Sequence, residues 1–120
     1  MSLPYRYTGA FVADFHRTLI HGGMFLYPNN KVSPNGKLRL LYECIPASFI
    51  MEIAGGLGTN GTENILDIKP TKIHDSTQLF LGANEYVTEL KECLKSSLWG
   101  YKGYIYSQQN YHLAKMRHSV

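Results

Sequence analysis

The segment Gly36–Glu43 sets two cations and one carboxylate among leucines, and it is the first candidate for chemistry in this sequence. At about 100° per residue, apolar side chains cover nearly the whole helical wheel, which predicts a helix buried on most sides. Those positions are Leu38, Leu40, Leu41, Ile45, Ala47, Phe49, Ile50 and Met51. On that wheel the carboxylate of Glu43 must be paired, protonated or bound to a metal. Pairing with Arg39 as an i, i+4 ion pair accounts for a buried carboxylate as well as a functional role does.

The start of the same helix is a candidate anion site. Asn35 follows a Ser-Pro turn signal and is expected to cap the helix, which places Lys37 in the first turn. Free backbone N–H groups and the positive end of the helix dipole favour an anion there. Pro46 is expected to kink or interrupt the helix, and Gly55-Gly56 is expected to end it.

Arg6 lies between two tyrosines, Tyr5 and Tyr7, and this grouping can bind a phosphate. An exposed arginine beside two half-buried tyrosines is the simpler interpretation of these residue types. His16 and His21 are five residues apart and do not share one helical face, so they are interpreted as structural or surface residues and not as metal ligands.

The elements that would position these residues alternate between helix and strand. Helices are predicted at 8–21, 36–54 and 85–95, a loop at 29–35, and strands at 24–27, 57–59, 65–68 and 78–81. Short links join them. The order predicts an α/β fold built from layers of sheet and helix.

The formal net charge of +3 equals the sum of Lys102, Lys115 and Arg117 in residues 96–120, which contain no acid. The rest of the chain is neutral and has no basic footprint for nucleic acid. Aromatic residues in the same tail could stack on a single strand, although such tails are more often loosely ordered. Two cysteines predict reduced thiols, and no apolar run is long enough to span a membrane.

Several segments, taken in order, resemble the C-terminal part of class I fructose-1,6-bisphosphatases. They are Arg6–Gly9, Val12–Leu19, Gly22–Pro28, Ser33–Cys44, Met51-Glu52 with Ala54–Gly56, Leu66–Ile68 and Pro70–His74. The likeness covers about residues 4–95, which suggests a C-terminal domain over 1–95 and an unmatched, poorly ordered tail over 96–120. It implies the layered α/β fold of the sugar phosphatases, in its C-terminal half.

The resemblance also implies a substrate-binding set. Arg6 would reach the 6-phosphate of a sugar in the neighbouring subunit, which makes the expected full-length protein a homo-oligomer, a tetramer in the family. Tyr7 and Tyr27 would contact that phosphate. Lys37 would contact phosphate and sugar oxygens, with the following residues, Leu38 and Arg39, close by.

Glu43 is implied to be a ligand of Mg²⁺, the expected cofactor. The family binds its other metal ions through an upstream Asp-Pro-x-Asp-Gly-Ser/Thr motif, and this chain contains no Asp-Pro. One carboxylate does not hold Mg²⁺ well, so the chain alone is expected to be inactive. Phe11 stands where the family usually has methionine, which implies a different wall of the sugar pocket.

Three functions follow from the resemblance. The first is hydrolysis of fructose 1,6-bisphosphate to fructose 6-phosphate and phosphate, with this chain as the substrate-side portion of a cytoplasmic enzyme, or of a plastid enzyme if a transit peptide lies upstream. The second is a non-catalytic fragment that binds sugar phosphate or a partner subunit. Sedoheptulose bisphosphatase is the third, and His16–Thr18 and Gly22–Pro28 fit it less well. Nucleic acid and membrane are not expected partners.

Overall fold

The computed structural model describes residues 6–96. Three helices and five strands are α1 (Phe11–His21), β1 (Met24–Tyr27), β2 (Leu38–Arg39), α2 (Ile45–Ile53), β3 (Gly56–Thr59), β4 (Ser76–Thr77), β5 (Leu79–Ala83) and α3 (Asn84–Lys95). A π-helix, Leu40–Cys44, leads directly into α2, and a 3₁₀ turn covers Ile65–Asp67. Tyr5 and residues 97–120 lie outside the described part, so the predictions for the tail are untested. None of the helices in residues 6–96 has the length and apolar character needed to cross a membrane.

The main sheet is antiparallel, with β5 between β1 and β3. Strand β5 was predicted to end before Gly82, but it continues to Ala83. The reason is that both neighbours pair there, Met24 with Gly82 and Gly56 with Ala83. A central strand keeps its backbone groups bonded as long as partners remain on each side.

Alternation along β5 divides the core between two faces of the sheet. Leu79 and Leu81 pack on the side of α1 and α2 with Phe25, whereas Phe80 packs against Leu90 of α3. Side chains of consecutive strand residues point to opposite faces, which requires this division. The result is helix, sheet and helix in three layers, and it confirms the predicted layered α/β fold.

The junction between the π-helix and α2 reflects the position of Pro46. The N–H of Ile45 bonds to the carbonyl of Leu40, five residues back, and Pro46 has no N–H for the next bond. The wide turn therefore closes before the regular helix begins. Single π turns of this kind often occur at functional sites, because they re-aim the side chains they carry.

Two sequence predictions in this region were wrong. Where a strand was predicted over residues 65–68, Ile65–Asp67 form a 3₁₀ turn, because Ile65 is buried in the core while Leu66 and Asp67 are exposed. The helix after residue 36 is not buried all round, since Phe49 and Ile53 are exposed. Gly58 lets the buried side of α2 approach the sheet, because a Cβ there would overlap the side chain of Ser48.

Candidate functional site

One cavity of about 430 Å³ gathers most of the predicted site residues. Six of the seven line it, namely Tyr7, Tyr27, Lys37, Leu38, Arg39 and Glu43, together with Gly9, Phe11, Asp14, Phe25 and Tyr42. Arg6 does not line it and is exposed. A larger cavity, about 540 Å³, lies between Ser33–Gly36 and His74–Thr77 and carries none of the predicted residues. The smaller cavity is therefore the candidate site.

Glu43 is half-buried on the wall of this cavity, on the π-helix. Its Oε2 accepts a hydrogen bond of 2.7 Å from the backbone N–H of Arg39. The guanidinium of Arg39 instead donates to the carbonyl of His74 at 3.1 Å and to Oγ of Ser76 at 2.9 Å. The i, i+4 ion pair that the spacing allowed is thus not formed, because β2 turns the arginine side chain toward β4.

Lys37 was predicted in the first turn of a helix, and this was wrong. Residues Leu38 and Arg39 form strand β2 instead, and Arg39, not Asn35, occupies the N-cap position of the π-helix. Pairing of β2 with β4 outweighs the local capping signal. Lys37 is exposed at the cavity, and within residues 6–96 its ammonium group has no hydrogen-bond or ion-pair partner.

The segment that carries Tyr7 is tied down by α1. Both carboxylate oxygens of Asp14 lie 3.3 Å from the backbone N–H of Thr8, and Oδ1 forms a 3.1 Å ion pair with Arg17. Arg17 also donates to the carbonyl of Arg6 at 3.3 Å. Sequence reasoning missed Asp14 as a site residue. The available signal was a carboxylate in the first turn with an arginine three residues later.

Aromatic rings form the apolar part of the cavity wall. Phe11 and Phe25 meet edge-on with ring centroids 5.4 Å apart, and Phe25 and Tyr27 stack at 6.3 Å. Phe25 is buried and Tyr27 is half-buried. Strand β1 therefore anchors the Phe25 ring in the core and holds the Tyr27 ring beside it at the cavity. Phe11, expected from the resemblance to alter the pocket wall, does line the cavity.

A turn over residues 71–76 supports the site from behind. Oδ2 of Asp75 accepts hydrogen bonds from the hydroxyl and the N–H of Thr71 and from the N–H of Lys72, at 2.7–3.0 Å. These bonds, led by the Thr71 hydroxyl, lower the pKa of Asp75. The carbonyl of Asp75 accepts from Leu40 at 2.8 Å, so the turn is fastened to the start of the π-helix.

Tyr42 is a second residue of the cavity that sequence reasoning missed. Its hydroxyl shares a 3.0 Å hydrogen bond with Nδ1 of His74, and the rings meet edge-on at 5.9 Å. The partners are 32 residues apart, and no local pattern predicts their contact. His16 and His21 are exposed, as surface histidines would be.

The residues present fit only part of a metal site. Within residues 6–96, no group of three His, Cys, Asp or Glu side chains is arranged to hold a metal ion. Asp14 is already bonded to Thr8 and Arg17. Burial, with a smaller contribution from the charge of Glu43, raises the pKa of the Cys44 thiol to about 12, so this thiol stays protonated. Glu43 remains as one carboxylate ligand, fewer than Mg²⁺ requires.

The arrangement suits a phosphorylated, hydroxyl-bearing ligand. Lys37 offers a cation without a partner in the described part, and Tyr7 and Tyr27 offer hydroxyl donors on the same cavity. The carboxylate of Glu43 and the aromatic wall lie on that cavity as well. An anionic group at the lysine and a polar group near the carboxylate would both be accommodated.

Comparison with known proteins places this site in a family context. Residues 2–95 match the model of the fructose-1-6-bisphosphatase C-terminal domain. The chain is 54% identical to rat fructose-1,6-bisphosphatase isozyme 2 over 101 residues, which cover 82% of the chain and 30% of the relative. It is 56% identical to bovine fructose-1,6-bisphosphatase 1 over 96 residues, 78% of the chain and 28% of the relative. Identity to the cytosolic enzyme of indica rice is 59% over 86 residues, 72% and 25%. The chain spans less than a third of each relative's length.

Proposed function

Because the chain belongs to the fructose-1,6-bisphosphatase family, whose C-terminal domain it carries, we propose that it forms the substrate side of a phosphatase. The reaction is hydrolysis of fructose 1,6-bisphosphate to fructose 6-phosphate and phosphate. The observation that carries the proposal is the cavity in which Tyr7, Tyr27, Lys37 and Glu43 meet. A cation, two hydroxyls and a carboxylate that line one pocket match a sugar bearing a phosphate.

The phosphate end of the substrate is assigned to Lys37, Tyr7 and Tyr27. Lys37 contributes a charge-assisted hydrogen bond, and the tyrosines donate to remaining phosphate oxygens. Leu38 and Arg39 follow Lys37 on β2 and line the same cavity. Arg6 is exposed and does not line the cavity of its own chain. This supports a role for Arg6 at the phosphate bound by a neighbouring copy, and hence a homo-oligomer.

The metal end is assigned to Glu43. When bound, Mg²⁺ would polarise the phosphoryl oxygens and activate water. Glu43 would supply one ligand, and its bond to the Arg39 N–H orients the carboxylate. Because residues 6–96 supply no further ligand cluster, the remaining ligands would come from other parts of a longer protein. The chain alone is then inactive.

A second candidate is a fragment that binds sugar phosphate or a partner subunit without catalysis. The same lack of a three-ligand group in the described residues favours it for the isolated chain. Likeness to the cytosolic rice relative supports a cytoplasmic location for both candidates, with a plastid as the alternative if a transit peptide lies upstream.

A chimaera tests the catalytic proposal. The N-terminal part of rat isozyme 2 is joined to this chain in place of its own matching residues, and phosphate release from fructose 1,6-bisphosphate is measured with Mg²⁺. We expect activity, and we expect Glu43→Gln to abolish it while the exposed control Glu85→Gln does not. Full turnover in the Glu43→Gln chimaera would exclude the metal-ligand assignment. If the chimaera hydrolysed sedoheptulose 1,7-bisphosphate faster than fructose 1,6-bisphosphate, the assigned substrate would change to the sedoheptulose compound.

Calorimetry of the 120-residue chain tests the binding part. Titration with fructose 6-phosphate is expected to release heat that Lys37→Gln removes. If the unsubstituted chain gives no heat at millimolar ligand, the binding fragment is excluded, whereas the chimaera still decides the catalytic proposal.

A further inference from the structure

We propose that His74 is a positioning residue for the cavity, acting through Tyr42 and Arg39. Neither the sequence motifs nor the family comparison assigns it this role. Its consequence for ligand binding rests on the proposed function, but its effect on the cavity wall does not.

Two separate contacts from His74 reach residues of the wall. Nδ1 shares a 3.0 Å hydrogen bond with the hydroxyl of Tyr42, and the backbone carbonyl accepts a hydrogen bond of 3.1 Å from the guanidinium of Arg39. Tyr42 and Arg39 both line the cavity, on either side of Leu40 and Leu41. One residue of a distant turn therefore holds two side chains of the site-bearing segment.

The turn can act as a fixed support because it is itself held on several sides. Asp75 closes it through Thr71 and Lys72, and the carbonyl of Asp75 accepts from Leu40. The next residue, Ser76, pairs with Arg39 between β4 and β2 and also bonds its guanidinium. The backbone of His74 is thus held by the hydrogen bonds of the residues around it.

Tyr42 needs such a support. Its side chain is 49% exposed and is not held by the core, so the His74 bond and ring contact are its restraints in the described part. An unrestrained tyrosine would sample several rotamers and would lose that freedom on binding a ligand. Holding the ring in advance reduces this cost. Because Tyr42 directly precedes Glu43, its restraint also limits motion of the carboxylate-bearing turn.

The first test needs no ligand. In NMR spectra of the full chain with labelled tyrosine, Tyr42→Phe identifies the Tyr42 ring signal by its loss and should shift the Nδ1 resonance of His74. His74→Ala is expected to move the Tyr42 ring signal, because it removes the imidazole, whereas it keeps the backbone carbonyl that contacts the Arg39 guanidinium. His74→Asn places an amide near the position of Nδ1 and should restore the Tyr42 signal. An unchanged Tyr42 signal in His74→Ala would overturn the proposal, whatever the chain binds.

The second test separates positioning from general stability. His74→Ala is expected to weaken fructose 6-phosphate binding by about three- to tenfold, with His74→Asn close to the unsubstituted chain. The double variant with Tyr42→Phe should be no weaker than the worse single variant, because both remove one bond. Additive losses would overturn action through Tyr42. Absence of any binding by the unsubstituted chain would count against the binding fragment alone, since the chimaera decides the catalytic proposal and the NMR result stands without ligand.

Discussion

The carboxylate of Glu43 accepts a hydrogen bond of 2.7 Å from the backbone N–H of Arg39, while the guanidinium of Arg39 points to His74 and Ser76 and donates to both. The two residues are therefore bonded, yet their charges are not paired. Among residues 6–96, Oε1 of Glu43 has no hydrogen-bond partner, and the carboxylate lines the cavity. The backbone bond orients the acid, and the missing ion pair leaves its charge available to a cation.

Replacing Lys37 by glutamine is expected to weaken phosphate binding by about tenfold or more. The lysine is the cation of the cavity that lacks a partner within residues 6–96, and a charge-assisted bond to phosphate is about twice as strong as a neutral one. Calorimetry with inorganic phosphate and with fructose 6-phosphate measures the loss. Lys69→Gln, an exposed lysine outside the cavity, is the matched control. Equal loss in both variants would mean that only net charge matters.

Asp14→Asn is expected to destabilise the chain by about 2 kcal/mol, because Asp14 is 3% exposed and bonds a charged and a backbone donor. The segment carrying Tyr7 should loosen as well. Urea unfolding gives the free energy, and proteolysis near Tyr7 reports the loosening. Asp67→Asn, on the exposed 3₁₀ turn, should change neither. A stable Asp14→Asn chain with a protected N-terminal segment contradicts the anchoring role.

The turn at Asp75 should respond to acid. Hydrogen bonds lower the pKa of Asp75 from 3.8, so the carboxylate stabilises the folded chain above about pH 4, and this contribution is lost as the pH falls further. Asp75→Asn should lower the melting temperature near pH 7 and have a smaller effect near pH 3. Thermal unfolding at both values tests this, with Asp67→Asn for comparison. An equal effect at both pH values would exclude the carboxylate as the cause.

Cys44 is expected to resist thiol reagents in the folded chain. Its pKa of about 12 leaves almost no thiolate near pH 8, and the side chain is fully buried. In a Cys93→Ser chain, which keeps Cys44 as its single thiol, a disulfide reagent should react only after denaturant is added. Rapid reaction under native conditions would show that the interior around Cys44 opens readily.

The isolated chain is expected to self-associate through α2. Phe49, Ile50 and Ile53 are exposed on this helix, Ile53 at 73%, and recur at helical spacing. Phe49→Ser combined with Ile53→Ser should shift sedimentation toward the monomer. The pair Val12→Ser and Val32→Ser, which removes exposed apolar groups elsewhere, should not. Unchanged association in the α2 variant would exclude this face.

Local sequence signals were sufficient where a single hydrophobic period, or a single residue that ends a helix or strand, dominates a segment. Met24–Tyr27 was predicted and found as a strand, and α1 and α3 end close to their predicted limits. The prediction that a helix starts at Lys37 was wrong, because a capping signal contributes less than pairing with a strand 37 residues away. The i, i+4 ion pair between Arg39 and Glu43 is not formed for the same reason.

By itself, the sequence determined the layered α/β class and, through its ordered motifs, the family and the residues to consider. Only the tertiary structure decided which of them share a cavity, that Arg6 does not line it, and that Asp14, Tyr42 and His74 support it. Periodicity and motifs record what each segment prefers locally. A site is built from contacts between segments, and the energies that fix those contacts are absent until the chain has folded.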